Sequence, residues 1–225
     1  MMKLYVFDSC PYCVRVKTLI GLKRLDVELK PFALGELPQQ VADKLTQFTV
    51  PILEYSNTES GTELMTESLD ILQRLDSLYQ PYLASYQLSS QLEQILAQLK
   101  PLTAQLCYPR MLHLNLPELA TESAVTMFTQ SRQEMFDTSL DQLLAQTSTY
   151  LPALEQALSE ISQQLDLASA ANQSRDLTID DIALFAELRN LTMIGELTMP
   201  SSITAYLQTI SRLSGVALYT PVFAQ

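Results

Sequence analysis

Long apolar runs are missing from this chain. No stretch reaches the roughly 18 apolar residues that a membrane span requires. The first residues pass straight into Lys3-Leu4-Tyr5-Val6-Phe7-Asp8, with nothing of the signal-peptide kind. Basic residues are also scarce: 14 against 25 acidic, a net charge of −11. Such a chain repels phosphate backbones, which argues against nucleic acid as a partner. The acidity lies mainly in the later part, with 8 basic and 11 acidic residues up to Gln80 and 6 and 14 beyond it. It reads as a solubilising surface. Three cysteines are too few for a secreted disulfide framework, so a reducing cytosol is the expected location. The single histidine, His113, has no cysteine or acid at ligand spacing and reads as structural or surface. Only 5 glycines occur, which together with helical apolar spacing predicts much helix.

What is present suffices for one or two domains. The 225 residues are 47% hydrophobic and 17% charged, a globular composition. Leu4 to Phe7 reads as a buried strand. Pro11 then opens a helix, where its missing N–H costs nothing. Val14, Leu19 and Leu22 give that helix an apolar face, and Gly21 stands where it can help to end it. Val27 to Phe32 reads as a second strand and Leu37 to Leu45 as a helix. Two strands, one within Val50 to Tyr55 and one over Thr62 to Met65, flank the turn-forming segment Ser56 to Gly61 and predict a hairpin. Ser68 opens another helix. The βαβ unit implies parallel strands, and the hairpin an antiparallel edge.

Tyr79-Gln80-Pro81-Tyr82 marks a boundary, with a mixed-sheet domain over residues 1–77, a linker over 78–86 and an all-helical domain over 87–225. Leu88, Leu92, Ile95, Leu99, Leu102 and Leu106 trace one helix face, and Leu151, Leu154, Leu158, Ile161 and Leu165 another. Residues 168–174 read as a loop. Thr178 and Asp181 form a capping-box pattern with Leu177 and Ile182 as a staple. The helix they open is apolar around most of its circumference and should be the buried centre of the bundle.

Cys10-Pro11-Tyr12-Cys13 carries the chemistry. Two cysteines three apart at a strand-to-helix junction can close a disulfide across one turn. The first sulfur sits where orphan backbone N–H groups and the helix dipole favour a thiolate, the form that attacks disulfides. Cys10 is therefore the expected attacking thiol and Cys13 the resolving one. Arg15 and Lys17 are expected to lower the Cys10 pKa, with Asp8 opposing. Half of a zinc site is an alternative, but Cys107 and His113 lie far away at unsuitable spacing. Coincidental buried cysteines and an oxidation sensor are the others. Cys107 itself reads as structural.

These residues resemble the dithiol glutaredoxins. Val50-Pro51 before a strand looks like that family's cis-proline loop. Thr66-Glu67-Ser68 looks like the glutathione-binding turn shared with glutathione transferases. Leu177 to Ile182 and Arg189-Asn190-Leu191-Thr192 extend the likeness over the helical half. The resemblance implies a thioredoxin-like α/β domain followed by an all-α helical bundle, the glutathione-transferase architecture. It implies a glutathione-dependent disulfide oxidoreductase with Cys10 and Cys13 catalytic and with Tyr12, Val50, Pro51, Glu67 and Ser68 binding glutathione. Val50 would offer backbone groups to the cysteinyl part, as an added strand does. Ser68, at a helix N-terminus, would hold the γ-glutamyl carboxylate, and Glu67 the amine. The basic residue usual before Val-Pro is replaced by Gln47-Phe48-Thr49, leaving Gln47, Arg15, Lys17 and Lys44 as candidates for the glycyl carboxylate. Glutathione is expected as cosubstrate, with no metal. Disulfide-bearing or glutathionylated proteins are the expected partners of a cytoplasmic monomer. A transferase that activates glutathione through a hydroxyl of Tyr5, Ser9 or Tyr12 is the competing enzyme.

Overall fold

The computed structural model describes residues 2–57 and 61–224. The predicted turn residues Thr58, Glu59 and Ser60 lie outside them. The strands on either side are β3 (Ile52–Asn57) and β4 (Gly61–Met65), paired antiparallel with Tyr55 opposite Glu63. β1 (Met2–Val6) runs parallel to β2 (Val27–Pro31) and antiparallel to β3, so the sheet order is β2-β1-β3-β4.

Alternation along the strands builds two layers. Leu4, Val6, Leu53 and Tyr55 face α1 (Pro11–Lys23) and α3 (Ser68–Asp76), packing with Val16, Leu19, Ile71 and Leu72. Tyr5 and Ile52 face the other way, onto Val41 of the short α2 (Gln39–Ala42). That helix is a single turn, where Leu37 to Leu45 had predicted more. Its outer residues Leu37 and Leu45 still pack on the same face from irregular backbone.

The helical half comprises α4 (Ser90–Met111), α5 (Glu122–Phe136), α6 (Leu140–Ala145), α7 (Thr147–Gln164), α8 (Leu167–Ala171), α9 (Ile179–Leu191) and α10 (Ser201–Ser214), with a 3₁₀ turn at Pro117–Leu119. α8 takes up the first part of the loop expected over 168–174 and is followed by a turn at residues 172–174. Asp166 caps it by accepting from the Ser169 N–H at 3.1 Å, a signal that a run of small and polar residues conceals. α9 is buried nearly all round, as its composition predicts. Thr178 and Asp181 cap it reciprocally, each side chain taking the other's backbone N–H. Arg175 adds two bonds to the Asp181 carboxylate at 2.7 and 2.9 Å. Asp181→Ala removes one half of the reciprocal cap and leaves Arg175 without its carboxylate partner. A loss of about 1–2 kcal/mol in chemical denaturation is expected, with activity per folded molecule retained.

α1 is clamped between the two halves. Val16 and Leu19 enter the sheet-side core, while Val14 enters the helical core. Arg15, read as an interruption of an apolar face, is therefore buried too. Gly21 does not end the helix, which continues to Lys23 and closes on Arg24 in the left-handed region. A Cβ at Gly21 would stand 1.7 Å from the Ser214 carbonyl oxygen. Glycine there lets α10 approach α1.

Between α3 and α4 the chain has no regular element. Asp76, fully buried, anchors its first part. The carboxylate accepts from Lys23 Nζ at 2.7 Å, from the N–H groups of Tyr82 (2.8 Å) and Leu83 (2.9 Å), and from the Tyr86 hydroxyl (2.9 Å).

Candidate functional site

Cys10 is the N-cap of α1, in extended conformation, with Pro11 in the first turn. All three cysteines are free thiols. Cys13 is buried directly behind Cys10. The Cys13 thiol, donating to Cys10, is the main reason that the Cys10 pKa falls. Burial opposes it, the backbone N–H groups of Cys13 and Tyr12 assist, and the Glu118 carboxylate opposes. Burial, followed by the neighbouring Cys10, pushes the Cys13 thiol well up. The pair is thus asymmetric: one sulfur is partly exposed with its pKa lowered, the other enclosed with its pKa raised.

The cations expected to do this work are engaged elsewhere. Lys17 pairs with Asp8 at 2.5 Å. Arg15 stacks over the Tyr12 ring at 4.8 Å, and its Nε is buried without a hydrogen-bond partner. The lowering of Cys10 comes chiefly from a hydrogen bond and helix N–H groups, not from surface charge.

The Val50-Pro51 peptide is cis, and the Val50 carbonyl lies 3.9 Å from Cys10 Sγ. Glu67, the residue before α3, has φ 65° and ψ 110°, in a region that non-glycine residues seldom occupy. Ser68 follows as the first residue of α3 and is buried. Tyr12 is exposed, its hydroxyl accepting from Lys100 Nζ at 3.1 Å. Gln47 and Lys44 line a small hollow of about 200 Å³ with Thr49 and Thr66. The Tyr5 hydroxyl donates to Glu54 at 3.1 Å, on the sheet face away from α1.

The segment before Cys10 is held by the helical half. Glu118, on the 3₁₀ turn, accepts from the Asp8 N–H at 2.9 Å and the Ser9 N–H at 2.7 Å. Asn190 Nδ2 donates to the Ser9 carbonyl at 2.8 Å. Arg189 donates to the Asp8 carbonyl (2.8 Å), the Asp8 carboxylate (2.8 Å) and the Tyr219 hydroxyl (2.7 Å), and Tyr219 in turn donates to Asp8. Burial raises the Asp8 pKa, but Arg189 and Lys17 outweigh it and hold the carboxyl far below its usual value.

Residues 91–222, more than half of the chain, match the sequence model described as Glutaredoxin 2, C terminal domain. The chain belongs to the glutaredoxin 2 family. Residues 4–82 match the Glutathione S-transferase, N-terminal domain model. Glutaredoxin 2 of Escherichia coli (strain K12) is 28% identical over 217 residues, covering 96% of this chain and 97% of that protein. The crystal structure of glutaredoxin 2 from Salmonella typhimurium in complex with glutathione superposes with a TM-score of 0.83 at 28% identity, covering 97% and 96% of the two chains. A glutathione S-transferase of Ceriporiopsis subvermispora, at 10% identity, shares the fold with a TM-score of 0.68 over 97% and 98% of the two chains. The thioredoxin-like domain followed by a helical bundle is thus the glutaredoxin 2 architecture.

Within this family fold, the sequence points to Cys10, Tyr12, Cys13, Val50, Pro51, Glu67 and Ser68. It does not mark Glu118, and it marks Arg189 and Asn190 only through the family resemblance. Glu118 follows a proline in a short irregular stretch, where no periodicity marks it. Arg189 and Asn190 end an apolar helix, and two polar residues persisting there were the available signal. Cys107 is buried, with burial pushing its thiol pKa strongly up and its S–H against the Asn190 carbonyl at 3.6 Å. His113 is exposed. No metal-ligating cluster occurs among the described residues, and no helix among them is long and apolar enough to cross a membrane.

Glu118 places a carboxylate near Cys10 while bonding the loop that carries it. Glu118→Gln removes the charge and keeps one acceptor. The Cys10 pKa, followed by ultraviolet thiolate absorbance against pH, should fall. A rise would mean that the loop geometry, not the charge, dominates.

Proposed function

We propose that this chain is a glutathione-dependent thiol–disulfide oxidoreductase acting on glutathione mixed disulfides and protein disulfides. The observation that carries the reading is the asymmetric thiol pair at the N-terminus of α1, with Cys10 favoured as thiolate and Cys13 buried behind it. Membership of the glutaredoxin 2 family and the glutathione bound in the Salmonella typhimurium relative support it.

The Cys10 thiolate attacks the glutathionyl sulfur of a mixed disulfide, and the substrate thiolate leaves. A second glutathione then releases Cys10 as glutathione disulfide. On a protein disulfide, Cys13 displaces the substrate thiol and closes the internal disulfide, which two glutathiones reopen. Glutathione lies along Val50 and the cis Pro51, whose backbone pairs with the cysteinyl unit. Its γ-glutamyl end meets Ser68 at the start of α3, with Glu67 toward the amine. The unusual backbone at Glu67 supports that placement, since such conformations persist where surrounding structure and function require them. Tyr12 borders the bound thiol. Gln47 and Lys44 are the candidates left for the glycyl carboxylate, because Lys17 is paired with Asp8 and Arg15 is buried against Tyr12.

Residues 1–77 form the catalytic domain in this reading, 78–86 the linker and 87–225 the helical domain, in a cytoplasmic monomer. Turnover of the glutathione–mercaptoethanol mixed disulfide, coupled to glutathione reductase and NADPH, tests the function. Steady oxidation of NADPH that depends on both enzyme and glutathione is expected. A rate equal to the uncatalysed exchange would overturn the assignment.

A further inference from the structure

A cleft of about 700 Å³ opens between the two halves of the molecule. Cys10 and Val50 line it, whereas Glu67 and Ser68 do not. Glutathione extended from Cys10 toward Ser68 therefore leaves most of this space to whatever is joined to its sulfur. The volume is that of a small-molecule site. Its far wall is apolar and aromatic: Met111 and Tyr108 from α4, and Phe128, Met135 and Phe136 from α5. Tyr108 meets Phe128 edge-on with ring centres 5.8 Å apart.

Two cations line the cleft: Lys100, which donates to the Tyr12 hydroxyl at 3.1 Å, and Arg132, which sits on that wall. The Arg132 guanidinium lies 4.5 Å from the Tyr108 ring centre and 5.0 Å from that of Phe128. Its Nε is buried without a hydrogen-bond partner, and its Nη1 donates to Ser131 at 3.1 Å. Among the described residues no carboxylate pairs with it, although the chain carries 25 acids. The two acids that line the cleft are already used, Glu118 by the Asp8 and Ser9 amides and Glu187 by the Thr103 hydroxyl at 3.2 Å. An uncompensated guanidinium stacked on aromatic rings presents its free edge to an anion, and a carboxylate matches that edge with two parallel bonds.

We propose that this cleft seats the non-glutathione half of a mixed disulfide, and that its preferred occupants are small thiols that carry an aromatic ring and a carboxylate, which Arg132 pairs. The inference rests on the oxidoreductase reading and names the substrate class of that same site. Cys10 sulfur forms a bond to the glutathionyl sulfur. The bond between the two halves breaks, and its electron pair leaves with the ring-bearing thiolate, which takes a proton from water. A second glutathione, the reductant, releases Cys10 and departs as glutathione disulfide.

Two sets of compounds test it. The first comprises glutathione mixed disulfides of para-(mercaptomethyl)benzoate and of benzyl mercaptan, two alkyl thiols of similar leaving ability that differ in the carboxylate. The enzyme should prefer the carboxylate by about tenfold in kcat/KM, the size of one charged hydrogen-bonded contact. Arg132→Gln should abolish that ratio and Arg132→Lys should restore part of it. The second set is the matching thioethers, S-(para-carboxybenzyl)glutathione and S-benzylglutathione, which cannot be reduced and whose binding is read by calorimetry. The same preference and the same dependence on Arg132 are expected there. Equal handling of the two compounds by the wild type, a ratio unchanged in Arg132→Gln, or no thioether binding would overturn the inference. Failure to turn over any disulfide would overturn the oxidoreductase reading instead, and the thioether ratio would still judge the cleft.

Discussion

Replacing Cys10 by serine is expected to abolish disulfide exchange altogether, while replacing Cys13 leaves much of the activity on glutathionylated substrates. A serine hydroxyl stays protonated at neutral pH and cannot replace the thiolate. Cys13→Ser retains the attacking sulfur, and free glutathione can still release it. This variant should lose most activity on protein disulfides, whose reduction needs two thiols of the enzyme, and should accumulate a Cys10–glutathione adduct visible by intact mass. Cys13→Ala, which unlike serine has no side-chain group left to donate, also removes the hydrogen bond that contributes most to the lowering of the Cys10 pKa. Its activity should therefore rise with pH through a higher midpoint than the wild type's. Conjugation of an electrophile by Cys10→Ser at the wild-type rate, with no adduct in either protein, would indicate transferase chemistry on glutathione's own thiol. Tyr5 would not be its hydroxyl, since it faces the opposite side of the sheet and is bonded to Glu54.

Arg189→Ala should be the most damaging change outside the thiol pair. It deletes the bonds to the Asp8 carboxylate and carbonyl, the Tyr219 hydroxyl and the Ala217 carbonyl at once. Asp8 keeps Lys17 and Tyr219 but loses the buried partner that joins the loop before Cys10 to α9. Breaking a largely buried pair on one side costs about 3–5 kcal/mol. For a chain of this size the melting temperature should fall on the order of 10 °C. The pH dependence has a definite sign. Asp8 has a folded pKa below its unfolded value, so its contribution is complete above about pH 4 and is lost as the pH falls further. The gap in stability between wild type and Arg189→Ala should accordingly narrow as the pH drops below about 4. A gap constant across that range would mean that Arg189 acts through packing alone. Turnover should drop as well, because Arg189 and Asn190 together bond the Asp8 and Ser9 carbonyls directly ahead of the nucleophile.

Much of this was determined by local sequence. The strand-to-helix junction at Cys10-Pro11, the hairpin strands about residues 58–60, the apolar periodicity of α4 and α7 and the Thr178–Asp181 cap each depend on residues within a few positions of one another. Hydrophobic period, proline and capping chemistry encode such features directly. The same locality explains two departures: α2 is one turn, shorter than Leu37 to Leu45 predicts, because tertiary packing, not propensity, holds Leu37 and Leu45, and α8 stands where a loop is expected because it rests on a single aspartate cap.

Only the tertiary structure decided how the nucleophile is supported. Arg15 and Lys17 were legible as cations near Cys10, but their partners, the Tyr12 ring and Asp8, depend on where α1 is clamped. Glu118 and Arg189 lie 110 and 181 residues from Asp8 in the chain. No periodicity or spacing links positions so far apart. They meet because α1 is buried on both sides, between the sheet layer and α9, so the loop leading into it must satisfy its backbone groups with side chains from the helical half. A buried N–H or carbonyl without a partner costs about as much as a lost hydrogen bond, and that requirement is set by burial rather than by neighbours in sequence.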